Sequence, residues 1–512
     1  MTVNRVRKGA TRVTSTSSVV SNMKAMSEPT VLCIGGLDPL GLSGVTRDIQ
    51  ALNQIGVHGA VCLTANTEQD HQGFYSINAV AAKEFESQLD RLNALDSIQV
   101  VKLGLLATEA QIQILLKHPI LKRCLVVCDP VIAATTGAIA FTERRVAGIR
   151  KLLPLVDVLT PNLEEFEDLF ERPFDPIRER ELAEQGTEHH CFLYVKGGHG
   201  INQATDWWIS KGQYWQIEGQ RQINGERRGT GCYLASLLAG ALAQGHHFSD
   251  AMILAKRSLS MAISTPAYLY GVAQLPIHSM QHNSNAYWPK VRTIDDVTAH
   301  AFPCCQKVKG VYPIVDRAAW LTRLLPSGVT VAQIRIKDLC GEALKQELRA
   351  AINIARQYGC GLYINDHWQL AIELGAYGVH LGQEDLDTAD LEQIHSAGLR
   401  LGLSSHGHFE VCRSVSLKPS YLAFGPVYET QTKVMPWIPQ GPEGIGFWRS
   451  AFPSLKWVAI GGIKDDRFEA VKQQGVDAIA MVSAITDATS PELAINDYVR
   501  RFRIEMACID VC

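Results

Sequence analysis

Residues 361–386 read GLYINDHWQLAIELGAYGVHLGQEDL, and their apolar patterning predicts strand, helix, strand, with each strand ending in acid. Asp366 follows the apolar run Leu362, Tyr363, Ile364, and Asp385 follows Val379, His380, Leu381 one repeat later. Equivalent positions just past consecutive strands of a parallel sheet lie side by side on one rim, the rim whose loops carry chemistry. Two carboxylates meeting there repel unless a cation sits between them. Mg²⁺ suits that place, because it takes one or two carboxylates and shares itself with a phosphate. Read singly, Asp366 is equally well a helix cap and Asp385 a solvated loop residue, so the surrounding units have to decide.

Working outward, the same rhythm can be counted after Gly310: Val311–Val315, Val329–Ile336, Gly361–Ile364, Gly378–Leu381, Leu401–Ser404, Tyr421–Phe424, Trp457–Ile460 and Ala478–Val482. Eight βα units within residues 308–505 predict a compact (β/α)8 TIM barrel. Counting alone does not separate a closed barrel from an open doubly wound sheet. If the strands close, their ends share one rim. Strand two then contributes Gln333, Arg335 and Lys337, alternate positions of QIRIK that point the same way. Strand three contributes Asn365 and Asp366, the loop after strand four Gln383 and Asp385, and strand five Ser404. The loop after strand six carries Thr430, Thr432 and Lys433 in TQTK. The last two strands run into IGGI (460–463) and VSAI (482–485), the usual place for a phosphate held by backbone N–H groups. Cations, paired carboxylates and a separate glycine-rich turn together suit two phosphorylated substrates, whereas any one of them alone is an ordinary surface residue.

Upstream, apolar strands at Val31–Gly36, Ala60–Ala65, Val100–Leu106, Leu125–Val131, Val156–Thr160 and Phe192–Gly197 alternate with helical segments. Such runs predict a doubly wound parallel sheet covered on both faces. TDWWISKGQYWQIEGQ then reads as a β-hairpin turning at Lys211 and Gly212. GERRGTGC opens a long apolar helix and places Gly229, Thr230 and Gly231 at its N-terminus, with Cys232 in the first turn. A helix N-terminus binds anions and favours a thiolate, so Cys232 is a candidate general base; a buried cysteine packing a tight turn is the plainer alternative. The rhythm lapses between residues 268 and 307. The expected organisation is a basic tail (1–28), an α/β domain (29–275), a linker (276–307) and the barrel (308–505).

The chain has 512 residues, 46% of them hydrophobic and 20% charged, with a net charge of −3, which describes ordinary globular domains and disfavours a general nucleic-acid or membrane surface. Residues 1–28 hold Arg5, Arg7, Lys8, Arg12 and Lys24 among Ser and Thr, with no acid before Glu28. That composition predicts a disordered tail; a transit peptide has a similar one, and Met26 would serve equally as a start. The 13 cysteines form no CxxC pair, and Cys33, Cys62, Cys124, Cys128 and Cys191 sit in apolar runs, which points to a reducing, cytoplasmic protein. The pairs His189–His190 and His246–His247 lack partners at ligand spacing and read as surface residues.

QIRIKD, IND, YGVHLGQEDL, TQTK, AIGGI and VSAI, in this order, resemble thiamine-phosphate synthase over residues 309–500. The resemblance implies joining hydroxymethylpyrimidine diphosphate to thiazole phosphate with loss of pyrophosphate. It implies that Asp366 and Asp385 hold Mg²⁺. Gln333, Arg335, Lys337, Asn365, Ser404 and Lys433 would grip the diphosphate, Thr430 and Thr432 the thiazole, and Gly462, Val482 and Ser483 its phosphate. Glu429 departs from the proline usual before TQTK.

CIGGLDPLGLSGVTRDIQALNQIGV, KLGLLAT, CDPV, LTPNLEE, VKGGH and RRGTGC resemble the hydroxymethylpyrimidine and phosphomethylpyrimidine kinases of the ribokinase-like fold over residues 29–270. That resemblance implies a pyrimidine pocket at Gly36, Asp48, Gln69 and Leu105, a nucleotide and Mg²⁺ side at Asp129, Asn162, Glu165 and Lys196, and an anion hole and base at Gly229, Gly231 and Cys232. Leu37, Leu40, Leu42, Thr135, Ala138, Arg227 and Arg228 depart from the family pattern. The two resemblances support each other, since the kinase makes the diphosphate that the synthase consumes. The expected partners are accordingly small molecules (ATP, the pyrimidine and its phosphates, thiazole phosphate), with homo-oligomerisation left open. Two rivals remain at this stage: a synthase carrying a non-catalytic pyrimidine-binding or scaffolding domain, and an unrelated phosphate-binding barrel fused to a sugar-kinase-like domain.

Overall fold

The computed structural model describes residues 28–132, 143–186, 191–198, 203–220, 227–265, 267–269, 272–276, 285–293, 300–429 and 439–504. The tail, Thr135, Ala138, His189, His190, Thr430, Thr432 and Lys433 lie outside the described residues.

The N-terminal strands are β1 (Thr30–Leu37), β2 (His58–Gln69), β3 (Phe74–Ala79), β4 (Ile98–Leu103), β5 (Leu125–Cys128), β6 (Val158–Leu159), β7 (Phe192–Val195), β8 (Gln203–Ser210), β9 (Gln213–Gln220), a small hairpin of β10 (Tyr268–Leu269) and β11 (Val272–Ala273), and β12 (Lys290–Arg292). Ten of them form one sheet in the order β12-β9-β8-β7-β6-β5-β4-β1-β2-β3. The central pairs, from β2/β1 through β6/β7, are parallel, and antiparallel strands finish both ends. Strands buried on both faces must be apolar throughout, and Val31–Ile34 and Val126–Cys128 are all buried. The chain leaves β1 toward β2 on one side and returns as β4 on the other, so a crevice opens beyond the ends of β1 and β4, the ordinary ligand position in such sheets.

The barrel strands are β13 (Gly310–Val315), β14 (Val331–Ile334), β15 (Gly361–Asn365), β16 (Gly378–Leu381), β17 (Arg400–Ser405), β18 (Tyr421–Phe424), β19 (Trp457–Ala459) and β20 (Ala478–Met481). Closure, which strand counting leaves open, is made by β13 pairing parallel with β20 from Gly310↔Ala478 to Pro313↔Met481. The interior is aromatic and polar. The Tyr312 and Tyr421 hydroxyls lie 2.8 Å apart, and Tyr363 packs edge-on to Tyr421.

The stretch expected to be a linker contains packed structure. β12 pairs with Gln216–Glu218 of β9 and becomes the outermost strand of the kinase-like sheet. Farther on, Cys305 and Val308 are buried against Tyr312, Tyr363 and Tyr421 before the first barrel strand begins. With Val291 as its one apolar residue, β12 leaves no period in the sequence. Among the described residues no helix is long and apolar enough to cross a membrane.

Candidate active sites

In the barrel, consecutive strands β14, β15 and β16 bring Gln333, Asn365 and the turn at Gly382 to one rim, as their register requires. Asp366 and Asp385 meet there. Burial raises the Asp385 carboxyl above its ordinary value, and the charge and hydrogen bond of Asp366 raise it further, while the Gly382 N–H and Lys337 act the other way. Lys337 forms an ion pair with Asp366. Asp366 has φ +63°, a conformation few non-glycine residues take, so the backbone holds this carboxylate in place at some cost. Among the described residues no group of three His, Cys, Asp or Glu side chains could hold a metal. A carboxylate pair in which Asp366 raises the proton affinity of Asp385 fits Mg²⁺, with the remaining positions left to water and substrate oxygens.

Ser404 Oγ lies 2.8 Å from His380 Nε2, and His380 Nδ1 lies 2.8 Å from the Tyr421 hydroxyl. Burial lowers His380 to about 4, so this ring is neutral and serves to orient Ser404. The sequence offered no sign of this, because a single histidine inside VHL has no neighbour in sequence that explains it. Gln383 donates to the Ser404 carbonyl at 2.7 Å and so ties the loop after β16 to the end of β17.

The glycine-rich turn after β19 has a steric reason. Gly462 has φ +63°, and a Cβ there would lie 2.3 Å from the Glu429 carbonyl. The loop after β18 hooks onto the same turn, Tyr428 N–H donating to Gly461 O at 3.0 Å. Val482 immediately precedes the short helix Ser483–Thr486.

In the N-terminal domain, Gly36 and Leu105 adjoin across the crevice, since a Cβ on Gly36 would lie 2.7 Å from Leu105 Cδ2. Gln69 donates to Thr67 Oγ1 at 2.8 Å, and Thr67 in turn donates to the Leu37 carbonyl at 2.7 Å. The Gln69 carbonyl oxygen is held by Arg228, which also donates to Asp70 O at 2.7 Å. Arg228, one of the departures from the family pattern, thus closes over the end of β2. Asp48 is not on the pocket surface. It is fully buried, 3.0 Å from Lys102 Nζ, and accepts from Ser236 at 2.8 Å. Its helix, Gly44–Gln54, turns this position toward the helix Thr230–Ala243 and β4, where a carboxylate needs a cation, and Lys102 of β4 supplies it.

The nucleotide-side residues converge. Lys196 Nζ lies 2.8 Å from Asp129 and 3.5 Å from Glu165. Burial pushes Asp129 upward, but Lys196 and Lys102 outweigh it and hold the carboxyl below its ordinary value. Burial raises Glu165 to about 7, against the pull of Lys196. Asn162 and Glu165 make reciprocal 2.7 Å bonds to each other's backbone N–H at the start of the helix Leu163–Phe170, so these two are a capping box as well as site residues.

Gly229 (φ +76°) has no room for a side chain, since a Cβ would sit 2.0 Å from Leu42 O; the leucine-containing turn at 40–42 thus packs directly on the anion-hole turn. A Cβ on Gly231 would lie 3.2 Å from Lys196 Nζ and 3.5 Å from Asp129, which brings the helix N-terminus to the charged pair. The thiolate expected for Cys232 is not favoured here. Burial pushes the thiol up to about 12, with Asp48 and Asp129 adding to the rise and Lys102 and the Gly44 N–H opposing it.

Comparison with known proteins covers both halves. Residues 38–278 match the family model for phosphomethylpyrimidine kinase, and residues 311–485 match that for thiamine monophosphate synthase. The thiamine-phosphate synthase of Serratia proteamaculans (strain 568) is 51% identical over 193 residues, 38% of this chain and 91% of that protein. The pyridoxal kinase of Staphylococcus aureus superposes with a TM-score of 0.45 at 22% identity, over 51% of this chain and 97% of that one. The phosphomethylpyrimidine kinase of Clostridium difficile 630 superposes with a TM-score of 0.40 at 24% identity, over 46% of this chain and 99% of that one. The chain therefore belongs to the thiamine-phosphate synthase family through its closed barrel and carries, ahead of that barrel, a phosphomethylpyrimidine kinase domain, which makes it a bifunctional transferase.

Proposed function

We propose that the two domains catalyse consecutive steps: ATP-dependent phosphorylation of hydroxymethylpyrimidine to its monophosphate and diphosphate, then joining of the diphosphate to thiazole phosphate with release of pyrophosphate. The observation that carries this reading is the meeting of Asp366 and Asp385 beside Lys337 on the rim that also holds Gln333, Arg335, Asn365 and Ser404. In the joining step the bond from the pyrimidine methylene carbon to the diphosphate oxygen breaks and its electron pair leaves with pyrophosphate. The thiazole nitrogen then forms the new bond to that carbon. The aminopyrimidine ring stabilises the methylene cation, so the protein's main task is to stabilise the departing anion. Arg335, Lys337, Gln333 and Asn365 do so by fixed charge and hydrogen bonds. Asp366 and Asp385 would hold Mg²⁺, which when bound would supply further charge neutralisation to the diphosphate. Lys433, Thr430 and Thr432 complete the site by family resemblance, and Gly462, Val482 and Ser483 take the thiazole phosphate.

In the kinase domain Gly36, Leu105 and Gln69 form the pyrimidine pocket, with Arg228 as its edge. Asp129, Asn162, Glu165 and Lys196 serve the nucleotide and its Mg²⁺. Gly229 and Gly231 present backbone N–H groups to the transferred phosphoryl group, and the minor thiolate form of Cys232 accepts the proton of the attacking hydroxyl. We place the protein in the reducing cytoplasm, in keeping with the free thiols found at all described cysteines. The domain limits proposed are 29–275, with β12 (Lys290–Arg292) completing that domain's sheet, and 308–505. The test is incubation of purified protein with ATP and hydroxymethylpyrimidine without thiazole phosphate. Accumulated diphosphate, converted to thiamine phosphate when thiazole phosphate is added, is the expected result. Supplied diphosphate that reacts while none forms from ATP would leave only the synthase.

A further inference from the structure

The helix His408–Ser416 follows β17, the strand that carries Ser404, and it has no capping side chain of its own at Gly407. The cap comes from the other domain. Asp250, at the start of the kinase-domain helix Phe248–Ser264, accepts the Phe409 N–H at 2.8 Å and lies 4.0 Å from His408 Nδ1. The approach is so close that a Cβ on Gly407 would lie 2.4 Å from Asp250 Oδ2. One turn on, the Arg413 guanidinium sits 4.6 Å from the ring centroid of Trp215, a buried residue of the kinase-domain strand β9. At the helix end, Val291 N–H of β12 donates to Ser416 Oγ at 3.0 Å.

Arg413 connects this contact to the synthase rim. Its Nη1 donates to Gln383 Oε1 at 3.2 Å, and its Nη2 pairs with Asp387. Gln383 Nε2 donates to Ser404 O at 2.7 Å and to Ser414 Oγ at 3.1 Å. Gln383 stands two residues before Asp385. The guanidinium is planar and cannot turn without giving up either the ring or the amide, so Trp215 holds Arg413 in the plane from which it grips Gln383.

We propose that Trp215 and Asp250, residues of the kinase domain, are positioning residues for the synthase reaction, fixing through Arg413, Gln383 and the helix 408–416 the loops that receive the pyrimidine diphosphate. This rests on the reading of the Asp385 and Ser404 rim as the diphosphate site. The full-length chain is assayed with supplied pyrimidine diphosphate and thiazole phosphate, and its kinase activity is measured on the same preparations. Trp215→Ala and Asp250→Ala are expected to raise KM for the pyrimidine diphosphate by roughly tenfold, short of the ~100-fold a misplaced reacting group can cost, with KM for thiazole phosphate and the kinase rate unchanged. Trp215→Phe and Asp250→Asn, which keep a flat ring and an acceptor, are expected to restore it. An unchanged KM in both alanine variants overturns the proposal. Where Trp215→Ala fails to fold, Arg413→Lys leaves the kinase half intact and decides the same question: a raised KM supports the proposal and an unaltered one overturns it. Asp385→Ala is run beside them. If it still makes thiamine phosphate, the reading of the rim itself fails, a result distinct from silent Trp215 and Asp250 variants.

Discussion

Cys232 and Asp385 share one physical problem, a proton held too tightly by the surroundings, and each gives a measurable consequence. With the Cys232 thiol pushed up to about 12, the thiolate fraction grows about tenfold per pH unit through the neutral range. The phosphorylation rate should therefore keep climbing with pH beyond 9 instead of levelling at an ordinary thiol's value. Cys232→Ala should remove at least ~100-fold of the kinase rate while supplied diphosphate is still converted at the wild-type rate. Asp385 has a raised folded pKa, so its proton stabilises the metal-free fold at low pH, and that contribution is lost as pH rises through the raised value. Mg²⁺ competes for the same oxygens. The rise in melting temperature given by Mg²⁺ with pyrophosphate should consequently be larger at pH 7.5 than at pH 5, and Asp385→Ala should abolish it together with thiamine phosphate formation. Both residues stand out in the sequence by their place at a helix start or strand end. Their protonation does not, because it depends on Lys102, Asp48 and Asp129 in one case and on Asp366 in the other.

At the scale of single elements, strand β12 and the turn at Gly462 are the informative cases. Val291→Pro would remove the N–H donated to Ser416, and proline cannot donate in a ladder. A fall in stability of about 1 kcal/mol, the net worth of one hydrogen bond, read by denaturant unfolding, is expected, with the synthase affected more than the kinase, because β12 lies at the edge of its own sheet and directly on the barrel helix. The barrel strands were legible nearly residue by residue, since apolar runs recurring between polar helices leave a clear period, even at the three-residue β19. β12 was not, having Val291 as its one apolar residue and following two prolines and a polar run. Asp48 illustrates another limit of the element scale. A helix places its carboxylate on a definite face, but which neighbour that face meets is a tertiary fact, and here it is Lys102.

At the scale of the molecule, the two domains share a packed face of Trp215, His246, Asp250, Arg257, Trp288, His408, Phe409 and Trp448, with Arg257 stacked 4.5 Å from the Trp288 ring centroid. His246, read from sequence as a surface residue, belongs to this face; its neighbour His408 is far away in the chain. Burial, followed by the nearby His408, lowers its pKa below the ordinary histidine value. An interface of large aromatic and hydrogen-bonded charged groups should couple the unfolding of the halves. Calorimetry is expected to show a single transition for the whole chain, and Trp288→Ala, a buried aromatic truncation costing about 3–5 kcal/mol, should split it into two.

The α/β class of each half, the succession of its parallel strands along the chain and the strand-end position of the barrel's candidate residues were legible in the sequence alone, because hydrophobic period and strand-end placement are local properties. Closure of the barrel through β13 and β20, the burial of Asp48 on Lys102, the proton held by Cys232 and the seating of the kinase domain on the helix 408–416 were decided only by the tertiary structure. Each depends on groups brought together from distant parts of the chain, where a few tenths of an ångström, a lost hydration shell or a single counter-charge fixes the outcome.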